Sequence, residues 1–163
     1  MTYLDDFTNT FHQYKTIVFS VAYNYCKNVE DANDVTQETF IKYLQTETVF
    51  ENDEHRKAWL IRVTINKCKT LLVSPWFQRT VPLDESLPFV DKEGSELFYA
   101  LMALPIKYRV VIHLHYYAGY STKEIAYALS LGESAVRVRL LRAREKLKAT
   151  LGKEGVYYEY GEI

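Results

Sequence analysis

The stretch SAVRVRLLRAREKL, residues 134–147, places Arg137, Arg139, Arg142, Arg144 and Lys146 within fourteen positions. Guanidinium and ammonium groups at this density do electrostatic work. They meet phosphate oxygens, and arginine also reads base edges. On a helical wheel of about 100° per residue, Val136, Leu140, Ala143, Leu147 and Leu151 form one apolar stripe, flanked by the basic residues. A helix that packs by one edge and shows arginines elsewhere fits the DNA major groove. A plain amphipathic helix with a solvated face has the same wheel. The sequence offers no nucleophile–base pair, and His113 and His115 share no ligand pattern. The expected chemistry is therefore binding, without catalysis, cofactor or metal.

Charge along the chain is uneven although the 163 residues sum to −1. Residues 1–54 hold 10 acids and 3 bases, residues 55–80 hold 6 bases and no acid, and residues 121–153 are again basic. Either basic block alone is most simply a solvated helix face. Two of them, set apart by acidic segments, point to two contacts with a polyanion.

Apolar residues recur at helical spacing almost throughout, so the expected fold is all-α. No apolar run nears the roughly 20 residues needed to span a bilayer. The N-terminus MTYLDDFTNTFHQY is acidic where a signal peptide is basic, so a cytoplasmic protein without membrane insertion is expected. Cys26 and Cys68 lack metal-ligand spacing and read as buried free thiols.

Predicted helices cover 4–27, 30–45 with Asn28 as N-cap, 54–73, 95–104, 106–117 and a short one after Ser121, followed by the basic helix. STKE, residues 121–124, is a capping-box pattern, and Gly119 reads as a helix stop. Residues 46–54 lack periodicity and read as a loop. Three prolines and an acidic run place a linker at 75–95. It separates domains at 1–74 and 96–152, with an acidic, aromatic tail at 153–163.

Two helices joined by about three residues, the second basic, form the helix-turn-helix pattern. Its core is expected from Ile125, Leu129, Leu131 and Val136. On helix 30–45 the stripe Ala32, Val35, Thr39, Phe40, Tyr43 faces inward. Asp34, Gln37, Glu38 and Ile41 line the opposite face, either solvated or docked on a basic partner. On helix 54–73 the expected core positions are Ala58, Ile61, Ile65, Cys68 and Leu72. Trp59, Arg62, Asn66 and Lys69 line an adjacent face that could hold single-stranded nucleic acid, with Phe50 in the preceding loop. The simpler alternative buries Trp59 and solvates the charges.

EDANDVTQETFIKYL (30–44), RKAWLIRVTINKCKTLL (56–72) and ALPIKYRVVIHLHYYAGYSTKEIAYALSLGESAVRVRLLRAREKL (103–147) together resemble the sigma-70 family of bacterial RNA polymerase sigma factors. The size and two-region layout resemble its extracytoplasmic-function group. The resemblance implies two helical domains, regions 2 and 4, on a flexible linker. It implies docking on the β′ clamp helices of core RNA polymerase through Asp34, Gln37 and Glu38. Contact with the −10 promoter element would fall to Phe50, Trp59, Arg62, Asn66 and Lys69. Contact with the −35 element would fall to Ser134, Arg137, Val138, Leu141, Arg142 and Arg144. It further implies a β-flap contact through the apolar surface of 106–117, and an anti-sigma factor as partner. The family's turn glycine is Ser130 here, and its capping serine or threonine is Gly132. A free-standing helix-turn-helix regulator, or an interaction module without DNA binding, are the other readings.

Overall fold

A computed structural model describes residues 2–74 and 95–160, with side chains at 2–74 and 96–152. Every regular element among them is helical. The predicted linker lies outside the described residues except for Ser95, and the tail is described only as backbone to Tyr160. Two compact units divide the chain, residues 1–83 and 84–163.

The first unit packs three helices, α1 (Tyr3–Cys26), α2 (Val29–Gln45) and α3 (Asp53–Leu72). Each start is fixed by a side chain that accepts an otherwise unpaired amide. Thr2 and Asp5 form a capping box on α1, Asn28 accepts from the Asp31 amide, and Asn52 accepts from the His55 amide at 2.8 Å. The α2 stripe is buried as expected, from Ala32 through Tyr43. Its polar member, Thr39, is satisfied: the hydroxyl donates to the Val35 carbonyl at 2.8 Å and meets Thr64 of α3 at 3.3 Å.

In α3 the expected Ile61, Ile65 and Cys68 are buried, but Ala58 and Leu72 are only half-buried. Leu60, Val63 and Thr64 are buried as well. This helix packs on both α1 and α2, so it buries two faces where the wheel predicted one stripe. Cys26 and Cys68 are buried free thiols. A hydrogen bond with Cys26, together with burial, pushes the Cys68 thiol well above its ordinary range.

The second unit holds α4 (Ser95–Ala103), α5 (Ile106–Ile112), α6 (Thr122–Leu129) and α7 (Glu133–Tyr160, broken at Gly152). The predicted helix 106–117 does not run through as α. From His113 to Tyr117 it widens into a π turn. There the Ala118 amide reaches back five residues to the His113 carbonyl at 3.1 Å, and beyond it the Tyr120 amide reaches back six to the Leu114 carbonyl at 3.0 Å. The extra residue keeps Leu114 buried, while His113, His115 and Tyr116 are half-buried and Tyr117 is exposed. Gly119 follows at φ 73°, the left-handed stop expected of it.

Arg109 is 3% exposed, an unusual place for a guanidinium. It donates to the carbonyls of Leu104 at 2.9 Å and Met102 at 3.3 Å, the end of α4 that has no intrahelical partner. Desolvation pushes the half-buried His113 ring down to about 4. Its unfolded value is higher, near 6.5, so the neutral ring stabilises the fold above pH 6.5 and that stability is lost as pH falls toward 4. A shift of this size corresponds to about 3 kcal/mol. Urea midpoints read from α5–α7 amide signals are expected to fall between pH 7 and pH 4.5. His113→Phe is expected to flatten that fall, and an unchanged slope would exclude His113 as its source.

Candidate nucleic-acid and partner interfaces

The helix-turn-helix is built by three local devices. Ser121 and Glu124 form the predicted capping box, with the Glu124 amide donating to the Ser121 hydroxyl at 3.1 Å. Ser130 ends α6 at φ 55°, the left-handed conformation that favours glycine. Gly132 supplies the carbonyl that accepts the Val136 amide at 3.2 Å. Ile125, Leu129 and Val136 are buried as predicted, whereas Leu131 is half-buried in the turn. Val136, Leu140, Ala143 and Leu147 pin α7 to the unit at 0–2% exposure.

The opposite face of α7 is open. Ser134, Arg137, Val138, Leu141 and Arg142 are all exposed, Val138 by 45% and Leu141 by 54%. Their spacing of three and four residues makes one continuous strip of apolar and basic groups. Arg137 pairs with Glu133 at 3.1 Å, and Glu133 also accepts from the Thr122 hydroxyl at 2.8 Å. The acid in the first turn is therefore already held by α6 and its own arginine. Arg142 hydrogen-bonds the Tyr108 hydroxyl and holds that phenol below the ordinary tyrosine range.

Arg144 stands apart from the strip. It is half-buried, its Nε donating to the Tyr116 hydroxyl at 2.9 Å and its guanidinium lying 5.7 Å from that ring. Of the 106–117 surface, Tyr108 and residues 110–112 are buried. The apolar surface left open there is Tyr117, with Ile106 half-exposed.

In the first unit, Asp34, Gln37, Glu38 and Ile41 share the exposed face of α2, as the wheel required. Glu38 reaches Lys67 of α3 at 3.6 Å. Beside that pair lies a groove of about 480 Å³ lined by Glu38, Lys42, Val63, Asn66, Lys67 and Thr70, among others. Asn66 and Lys69 are exposed, and Arg62 is half-buried.

Phe50 lies in the loop before α3, and Trp59 in the first half of that helix. Asn66 is seven residues further along, about 10 Å by helical rise. Both aromatics are half-buried in the helical core. Phe50 stacks on Tyr43 at 5.8 Å and meets Trp59 edge-on at 5.6 Å. Arg56 lies over the Phe50 ring and pairs with Asp53 at 2.7 Å and Asp6 at 3.6 Å. The loop ahead of α3 is thus anchored by its own aromatic. Sequence reasoning did not single out Arg56, Lys67 or Tyr116. Their partners on other elements, Asp6, Glu38 and Arg144, are 28 to 50 residues away, beyond what helical spacing reports.

The family models for sigma-70 region 2 and sigma-70 region 4 match residues 10–76 and 95–147. The RNA polymerase sigma factor SigV of Bacillus subtilis is 28% identical, over 86% of this chain and 88% of that protein. The ECF RNA polymerase sigma factor SigM of Mycobacterium tuberculosis is 30% identical, over 76% of this chain and 65% of that one. Among solved structures, CnrH in complex with the cytosolic domain of CnrY aligns with a TM-score of 0.64 and 28% identity, covering 88% of this chain and 85% of that one. RpoE bound to the anti-sigma factor NepR, from Bartonella quintana, shares the fold with a TM-score of 0.76 at 20% identity, over 91% of this chain and 98% of that one. The chain belongs to the sigma-70 family of RNA polymerase sigma factors, in its extracytoplasmic-function group.

Proposed function

We propose that this sigma factor works through three surfaces, which divide between residues 1–74 and 96–152. The α2 face carrying Asp34, Gln37 and Glu38 docks on the β′ clamp helices of core polymerase. The strip Ser134, Arg137, Val138, Leu141 and Arg142 enters the major groove at the −35 element. The α3 face with Arg62, Asn66 and Lys69 receives unpaired −10 bases, with Phe50 and Trp59 holding the adjacent loop in shape. The observation that carries this reading is the α7 strip. Arginines that are open beside two exposed apolar side chains, on a helix pinned by a fully buried edge, suit base edges and thymine methyls. No enzymatic step is needed. Melting draws on binding, since captured bases gain stacking and hydrogen bonds that offset lost pairing.

Capture of core polymerase by the tagged chain, followed by mapping of transcript starts after overexpression, tests the proposal. Retention of polymerase with one shared promoter sequence upstream of the starts is the expected result. Failure to retain polymerase would leave a free-standing regulator as the better reading. On a promoter mapped this way, Arg142→Ala is expected to weaken holoenzyme binding by about 1–3 kcal/mol and to relax preference at one −35 position. An equal loss on all sequences would make Arg142 a phosphate contact. The relatives RpoE and CnrH were solved with NepR and CnrY, the first named as an anti-sigma factor. A protein of that kind, covering one or both binding faces, is the proposed regulator here. No helix among the described residues is long and apolar enough to cross a membrane.

A further inference from the structure

Arg144 of α7 hydrogen-bonds the Tyr116 hydroxyl of the π turn, and its guanidinium carbon lies 5.7 Å from the centre of that ring. The geometry of that turn explains the partnership. A turn closed five residues back holds one residue more than an α turn, which rotates the side chains after it by roughly one residue's step, about 100°. Tyr116 lies inside this widened turn. The turn is fastened on both sides, by Ala118 to His113 and by the His115 ring to the Tyr120 carbonyl at 2.8 Å. Tyr116 is thus a fixed platform.

We infer that Tyr116 is a positioning residue for DNA: it holds Arg144 at the rim of the recognition helix as a preformed phosphate clamp. This rests on the reading of α7 as the −35 helix. Arg144 lies about 60° round the helix from Leu141 and about 20° from Arg137, so with Arg137 it forms one edge of the exposed strip. A group at that flank faces the wall of the groove, where phosphates lie, while the strip faces the bases. The bond to Tyr116 uses only Nε–H. The two terminal NH2 groups are not used by that bond, and their planar fork can donate to two oxygens of one phosphate. An unheld arginine loses rotamer freedom when it binds; one hydrogen-bonded at its base has lost part of it on folding. The family resemblance implies Arg144 only as one of the −35 contacts. The structure moves it to the edge and supplies the reason it can act there.

The test uses holoenzyme reconstituted with the full chain on a mapped promoter fragment. Arg144→Ala is expected to weaken binding about tenfold and to lower the slope of log affinity against log salt by about one. Tyr116→Phe keeps the ring and removes the hydroxyl, and it is expected to weaken binding about threefold, equally on fragments with altered −35 bases. In the Arg144→Ala background Tyr116→Phe is expected to add nothing. Thermal unfolding of Tyr116→Phe is followed in parallel, and the comparison within the Arg144→Ala background removes any general loss of stability. Losses that multiply in the double variant, or no loss from Tyr116→Phe alone, overturn the inference. If Arg137→Ala and Arg142→Ala also leave binding untouched, the reading of α7 itself has failed.

Discussion

Reversing two charges on α2, Asp34→Lys with Glu38→Lys, is expected to abolish retention of core polymerase while leaving the fold intact. Both side chains are exposed, on the face opposite the buried stripe Ala32, Val35, Thr39, Phe40 and Tyr43. Their only described tie to the rest of the unit is the 3.6 Å pair between Glu38 and Lys67, with Glu38 61% exposed at its side chain. A pair that open is worth at most about 1 kcal/mol. Facing a basic partner, two reversed charges cost several kcal/mol, or on the order of a thousandfold in affinity. The check is a titration of labelled core polymerase, with far-UV circular dichroism as the control. Undiminished binding by a folded double variant would move the polymerase contact off α2.

The second large effect concerns a residue that touches no partner. Arg109→Met keeps the length and bulk of the side chain but removes the donors that satisfy the Met102 and Leu104 carbonyls. Buried acceptors left without a donor cost about 1–3 kcal/mol each, so a loss of about 2–5 kcal/mol is expected. That is a large share of what a unit of this size has. The second unit is expected to open first, seen as fast amide exchange in α4–α7 while α1–α3 stay protected. Protection of both units at wild-type levels would show that Arg109 is not needed to end α4.

Much of this was legible in the sequence, and the reasons are particular. Helical periodicity placed Val136, Leu140, Ala143 and Leu147 on one buried edge, because α7 packs from one side only. It did less well on α3, which packs on two sides and buries Leu60, Val63 and Thr64 outside the predicted stripe. Caps at Asn28 and Ser121 were readable because capping is local, spanning three residues. The π turn left no mark in apolar spacing, since one inserted residue still keeps Leu114 inside. The exposed faces of α2 and α7 followed directly from the buried ones. What those faces touch inside the protein did not. Arg142 with Tyr108, Arg144 with Tyr116 and Phe50 with Tyr43 are contacts between elements, set by packing. The residue types at Ser130 and Gly132 depart from the family pattern, yet Ser130 keeps the left-handed backbone that the turn requires.

The paired thiols bear on how this chain meets oxidants. Peroxides and alkylating reagents react with the thiolate, so a sulfur that keeps its proton and sees no solvent reacts slowly. Cys26 and Cys68 are both sealed between helices, and Cys68 is held firmly protonated. While α1 and α3 stay packed, the three-helix unit is armoured against the sulfenic and sulfinic chemistry that disables exposed cysteines. Damage would have to wait for the helices to part, which makes the unit's resistance to oxidation a measure of how seldom it opens.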